Sequence, residues 1–233
     1  MGIKEKLEVI NERINRAAER SERNTSDITL LAVSKQVESG RIREAIDSEH
    51  LSFGENYVQE FVTKYDELSE HKNIDWHFIG HLQKNKVKYI IDKVSLIHSV
   101  DKVSLAGEIN KRAEKLGIVM PILVEVNLGG EESKSGIEPD ELGSFLEKLS
   151  ALDNIRLSGL MALPPYCDNA EDSRKYFIKL RELRDNFISS YNTLNELSMG
   201  MSHDFEIAVE EGATIVRVGT AIFGERPRKK AYL

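Results

Sequence analysis

Two residues beyond the apolar run Leu30 to Val33 stands Lys35. Period-2 alternation puts Leu31, Val33 and Lys35 on one face, so a strand here ends with a lysine on that face. At the top of an apolar lumen the amine loses hydration, its pKa falls, and the neutral form can attack a carbonyl to give a Schiff base. The competing role is a lysine that snorkels out of the strand end or pairs with a carboxylate. Arg217 alternates in the same way with Ile215. A buried guanidinium needs acceptors, either a carboxylate such as Glu55 or Glu125 or a ligand ring nitrogen or anion. Ser202 stands where an N-cap is expected for a helix beginning near Asp204, with its hydroxyl and neighbouring amides turned to an incoming anion. Gly219 permits close backbone approach, and Thr220 adds a hydroxyl and an amide. Plain capping and turn chemistry explains these three equally well. Taken together, the lysine, the arginine and the Ser202/Gly219/Thr220 group suit an aldehyde that carries a phosphate.

These residues need elements that bring them together. Eight apolar stretches read as strands: Ile28 to Val33, Leu51 to Gly54, Trp76 to Gly80, Leu96 to Val100, Pro121 to Leu128, Ile155 to Leu163, Leu197 to Met201 and Thr214 to Phe223. Helical spacing falls between them, as in Leu105, Ile109, Ala113 and Leu116 before Gly117, in Leu142, Phe145, Leu146 and Leu149, and in Phe177, Leu180, Leu183 and Phe187. One more helix, with Leu7, Ile10, Ile14 and Ala17 on a face, precedes the first strand. Alternating strands and helices imply parallel pairing with right-handed crossovers. Eight units predict a single (β/α)8 barrel domain over residues 1–233, with an open doubly wound sheet as the alternative. In such a barrel the chemistry sits at the C-terminal ends of the strands. Lys35 closes the first strand, Asn56 the second and Ser202 the seventh, while Arg217, Gly219 and Thr220 fall toward the end of the eighth.

Composition narrows the partners. A net charge of −7 over 233 residues leaves no excess of Lys and Arg for general nucleic-acid binding. Cys167 is the single cysteine and cannot form an internal disulfide. No apolar run reaches membrane-spanning length, and the opening residues read as a charged helix with no signal-peptide pattern, so a cytoplasmic location is expected. We assign no metal ligand. The basic stretch Arg226 to Lys230 reads as a solvated tail.

Several segments carry a resemblance: Leu31-Ala32-Val33-Ser34-Lys35, Phe53-Gly54-Glu55-Asn56, the run Trp76 to Lys86, Gly159-Leu160-Met161, Leu197 to Ser202, and Val216 to Gly224. In this order they span nearly the whole chain, and the sequence resembles the YggS/PROSC family of pyridoxal phosphate homeostasis proteins. The resemblance implies a barrel like that of bacterial alanine racemase, a pyridoxal-phosphate fold of type III. It implies pyridoxal 5'-phosphate as cofactor, held as a Schiff base on Lys35, with Arg217 facing the pyridine nitrogen and Ser202, Gly219 and Thr220 on the phosphate. Asn56 lies beside the cofactor and Met161 near its ring; Lys134 is a candidate guard of the rim. His77 shares a face with Ile79 and reads as a satisfied core histidine.

An arginine at the ring nitrogen keeps that nitrogen neutral and weakens the ring as an electron sink. Racemases with this arrangement use a second base, a tyrosine on an additional domain from the partner subunit. This chain ends at Leu233, soon after the eighth strand, and Tyr232 sits on the basic tail. The expectation is therefore a monomeric carrier with no catalytic residue, buffering pyridoxal phosphate or delivering it to apoenzymes. A weak amino-acid racemase using Lys35 as base is the alternative, and a cofactor-free Schiff-base aldolase a third reading.

Overall fold

The computed structural model describes residues 1–130 and 135–225. Strands β1 (Thr29–Val33), β2 (Ser52–Glu55), β3 (Asp75–Phe78), β4 (Leu96–Val100), β5 (Met120–Glu125), β6 (Ile155–Met161), β7 (Glu196–Met201) and β8 (Ile215–Val218) close into a barrel in chain order. β1 pairs in parallel with β8, in a register that sets Leu31 beside Arg217. Closure rules out the open doubly wound alternative.

The outer layer holds α2 (Ser39–Ile46), α3 (Val58–Glu67), α4 (Val103–Leu116), α5 (Leu142–Ser150), α6 (Arg174–Ile188) and α7 (Phe205–Glu210). Between β3 and β4 runs only a 3-10 helix, Lys84–Tyr89, in which Val87 is the one buried residue. Val87, Ile90, Ile91 and Val94, at helical spacing, are nonetheless buried, most of them just past the end of that helix. β8 is shorter than the expected strand to Phe223. After Gly219 the chain turns into a short helix α8 (Thr220–Phe223), which buries Ile222 and Phe223. β5 likewise ends at Glu125, three residues before the expected Leu128.

The preceding helix α1 (Ile3–Arg20) has a role the periodicity did not disclose. It packs on α7, α8 and α2, and so fills the seat left by the four-residue α8. Its stripe Ile3, Leu7, Ile10, Ile14, Ala17 and Ala18 is buried. Arg13 pairs with Glu206 and Arg20 with Glu210, both at 2.7 Å.

Inside the barrel, Leu31, Leu96, Leu123, Met161 and Ile215 form an apolar layer with the partly buried Ile79. Each such side chain contributes about 2 kcal/mol through burial. A polar column accompanies this layer, made of the buried His77, His98, Ser198, Glu125 and Arg217. That column leads to the rim.

Candidate functional site

β1 and β2 finish as Ser34-Lys35 and Glu55-Asn56, and alternation sends one member of each pair outward and one inward. The outward pair is locked. Lys64 of α3 donates to Glu55 and to the Ser34 carbonyl at 2.6 Å each, and the Ser34 hydroxyl donates to Glu55 at 2.7 Å. Burial pushes the Glu55 carboxyl up, against the pull of Lys64 and Ser34. Glu55 is therefore taken by Lys64 and does not serve Arg217, as the sequence had allowed. Lys64 also holds Glu60 at 2.7 Å, and Glu60 accepts the amide of Gln36. Gln36 stands at φ 59°, a left-handed conformation that costs a non-glycine residue about 1 kcal/mol. Lys35 is thus held between two anchored neighbours.

The inward residue of β2 is fixed from the other side. Gly80 lies against the Asn56 backbone, with no room for a side chain between them, and the Gly80 carbonyl accepts the Ser99 hydroxyl. Asn56 Oδ1 is buried with no hydrogen-bond partner. A buried amide oxygen in that state calls for a donor from outside the protein.

Arg217 is 4% exposed. Its two terminal nitrogens donate to Ser198 Oγ at 2.5 Å and to the Ala162 carbonyl at 2.8 Å, both neutral acceptors. Among the described residues it has no ion-pair partner. Burial lowers its pKa to about 10, partly offset by Glu125 and Asp204. Glu125 is buried nearby, and burial together with Asp101 pushes its carboxyl up to about 7. Nε–H and the second hydrogens on the terminal nitrogens remain for another acceptor.

A cavity of about 310 Å³ opens at this rim, lined by Lys35, Asn56, Ser202, Arg217, Gly219 and Thr220 together with Val33 and Ile79. That is the small end of the range for ligand clefts and suits a single ring with substituents. Met161 does not line it; it lies beneath, 1% exposed, in the apolar layer of the lumen. Ser202 lines it but is no helix cap. Asp204 precedes α7 and accepts the Met201 amide at 2.7 Å, whereas Ser202 Oγ accepts the Gly219 amide at 3.3 Å. As the opening residues of α8, Thr220 and Ala221 have amides without an acceptor inside that helix. Lys134, Arg226 to Lys230 and Tyr232 lie outside the described residues.

Leu163, Tyr166, Met201 and His203 complete the cavity wall. The rings of Tyr166 and His203 lie 5.6 Å apart, tilted by 31°. Both follow strand ends (β6 and β7), so the rule that barrel chemistry sits at the C-terminal rim was signal enough to find them. A broader depression of about 440 Å³ beside Gln83, Lys84 and Lys102 contains none of the candidate residues. Among the described residues, no group of three or more His, Cys, Asp or Glu is placed to hold a metal, and no helix is long and apolar enough to cross a membrane.

The class follows from the barrel and from sequence together: the model of the alanine racemase N-terminal domain family matches residues 6–227. Within it, the chain belongs to the family of pyridoxal phosphate homeostasis proteins. It is 53% identical over 223 residues to the protein of that name from Aquifex aeolicus, covering 95% of this chain and 97% of that one. The protein of the same name from Vibrio cholerae is 39% identical over 227 residues, covering 96% of each. Among solved structures, PipY of Synechococcus elongatus with pyridoxal phosphate bound is 35% identical with a TM-score of 0.81. That match covers 91% of this chain and 100% of PipY.

Proposed function

We propose that this chain binds pyridoxal 5'-phosphate in the rim cavity and serves vitamin B6 homeostasis as a holder and donor of the cofactor. The observation that carries this is Arg217, buried without an ion pair among the described residues and facing the same cavity as Lys35. The residues present fit the group: Asn56 offers an unsatisfied buried acceptor, Arg217 unspent donors, and the opening of α8 unspent amides.

Bound pyridoxal phosphate supplies an aldehyde for amines and a ring that withdraws electrons from them. Lys35 supplies the amine that attaches it. Arg217 would donate a hydrogen bond to the ring nitrogen while keeping its own proton, and so would hold that nitrogen unprotonated. Ser202, Gly219 and Thr220 would hold the phosphate, and Asn56 would face the ring. Met161 supports the floor from the lumen, one layer below.

Two-base racemisation needs a proton acceptor on one face of the substrate carbon and a donor on the other, and the carrier reading places only Lys35 in such a role. The relatives' names accord with it. The observation that favours a second reading, a weak amino-acid racemase, is the presence of Tyr166 and His203 on the cavity wall. A monomer in the cytoplasm that loads apoenzymes completes the first reading.

The test is visible absorbance of the purified protein after loading with pyridoxal phosphate. A band lost in Lys35→Ala, with the adduct mapped to Lys35 after borohydride reduction, supports it; a protein that stays colourless overturns it. Transfer to an apoenzyme in the presence of a scavenger of free cofactor tests delivery. Rapid α-deuterium exchange of L-alanine, abolished in Tyr166→Phe, would move the assignment to the racemase.

A further inference from the structure

From the lower mouth of the barrel to its rim runs an unbroken series of hydrogen bonds. Asp75 Oδ2 lies 3.0 Å from His77 Nε2, and His77 Nδ1 lies 3.0 Å from His98 Nε2. His98 Nδ1 is 2.9 Å from Ser198 Oγ, which in turn is 2.5 Å from an Arg217 terminal nitrogen. The series starts at the first residue of β3, where the Asp75 side chain is 43% exposed, and ends in the cavity wall.

Its ends dictate its direction. Arg217 can only donate. Asp75 can only accept: burial works against its charge, but hydrogen bonds from His77 and Ser95 hold it below the usual carboxylate range. Complete burial, then the nearby His77 and Arg217, hold His98 far below the usual histidine range, so its ring is neutral. Asp75 accepts from His77 Nε2–H, and His77 Nδ1 in turn accepts from His98 Nε2–H. His98 Nδ1 then accepts the Ser198 hydroxyl, whose oxygen accepts Arg217. Every donor points toward Asp75, and the electron-rich end of each group faces Arg217.

We propose that Asp75, His77, His98 and Ser198 are positioning residues for Arg217, an oriented hydrogen-bond chain that sets the guanidinium against the ligand from the opposite mouth of the barrel. The proposal rests on the pyridoxal phosphate reading of the cavity. Aligned dipoles polarise one another, so the chain balances the buried cation without placing a carboxylate on it. The donors of Arg217 stay available to the ligand.

Nitrogen-15 NMR of histidine-labelled protein, free and loaded, reads the chain directly. Both His77 and His98 are expected protonated on Nε2 and bare on Nδ1. Asp75→Asn lies outside the cavity and offers a donor where only an acceptor stood; it should disturb that pattern and weaken pyridoxal phosphate binding about threefold. Ser198→Ala should weaken binding about tenfold, the low end for one lost hydrogen bond to a charged group. A His98 protonated on Nδ1, a charged His77 at neutral pH, or Asp75→Asn with unchanged tautomers and affinity would overturn the proposal. If wild-type protein takes up no pyridoxal phosphate, the cofactor reading fails on its own, and the tautomers of the free protein still decide whether the oriented chain exists.

Discussion

Gly80 and Asn56 meet backbone to backbone: a methyl group on Gly80 would lie 2.1 Å from the Asn56 carbonyl oxygen. Neither backbone can yield without moving the end of β2 or the turn after β3. Gly80→Ala should therefore destabilise the protein by about 2 kcal/mol, in the range for overpacking. Asn56 should move with it, so weaker pyridoxal phosphate binding is expected alongside the lower denaturation midpoint. A variant of wild-type stability and affinity would mean that the contact is looser than described.

Lys64 is the only cation bonded to Glu55 among the described residues. Removing it leaves a buried carboxylate without its countercharge, so Lys64→Met is expected to cost about 3 to 5 kcal/mol in urea unfolding. The double variant Lys64→Met with Glu55→Gln should recover part of that loss, because the uncompensated charge is gone. Equal losses in the single and double variants would count against this pairing.

Glu125 gives stability a pH dependence of known sign. Its folded pKa of about 7 lies above the ordinary 4.5. The folded state therefore binds the proton more tightly, and the contribution is fully present below about 4.5 and lost as pH rises through about 7. The span corresponds to at most about 3 kcal/mol. Glu125→Gln should flatten this part of the stability profile and raise the melting temperature at pH 8 relative to wild type. A profile of unchanged slope between pH 5 and 7 would remove Glu125 as its source.

The proposed phosphate role of Ser202 can be separated from contacts to the ring. Ser202→Ala should weaken pyridoxal phosphate binding about tenfold and leave pyridoxal, which lacks the phosphate, bound as before. Equal losses for the two ligands in parallel titrations would assign Ser202 to some other part of the site.

Much of this was legible in the chain. Lys35 and Asn56 close apolar stretches and Arg217 lies toward the end of one; two-residue alternation assigns the face of Lys35 and Arg217 without any tertiary knowledge. What alternation cannot supply is the partner. Glu55 was a plausible acceptor for Arg217 until α3 set Lys64 against it, nine positions along. His77 read correctly as a buried histidine, but its neighbour His98 bonds to a serine 100 positions away, a contact created by barrel closure. Met161 shows the limit of carrying roles over from a resemblance: strand alternation alone does not give depth along the lumen, and its side chain stops below the cavity. Ser202 precedes a helix in sequence, yet Asp204 flanks α7, and the serine instead ties the turn after β7 to Gly219. Tyr166 and His203 follow strand ends too, but they stand in the loops after β6 and β7, where two-residue alternation assigns no face.

The seating of α1 against α7 and α8 bears on how the molecule assembles. The first helix packs on α2 but also on α7 and α8, among the last elements, so its full seating waits for nearly the whole chain, and contacts of such long sequence separation slow folding. β1 and β8, which carry Arg217 beside Leu31 and lead to Lys35, pair across a similar sequence separation. A partly assembled chain therefore has no cofactor site to expose, and ligand capture reports completion of folding. Refolding followed by ligand uptake and by α1 docking should show one shared slow phase.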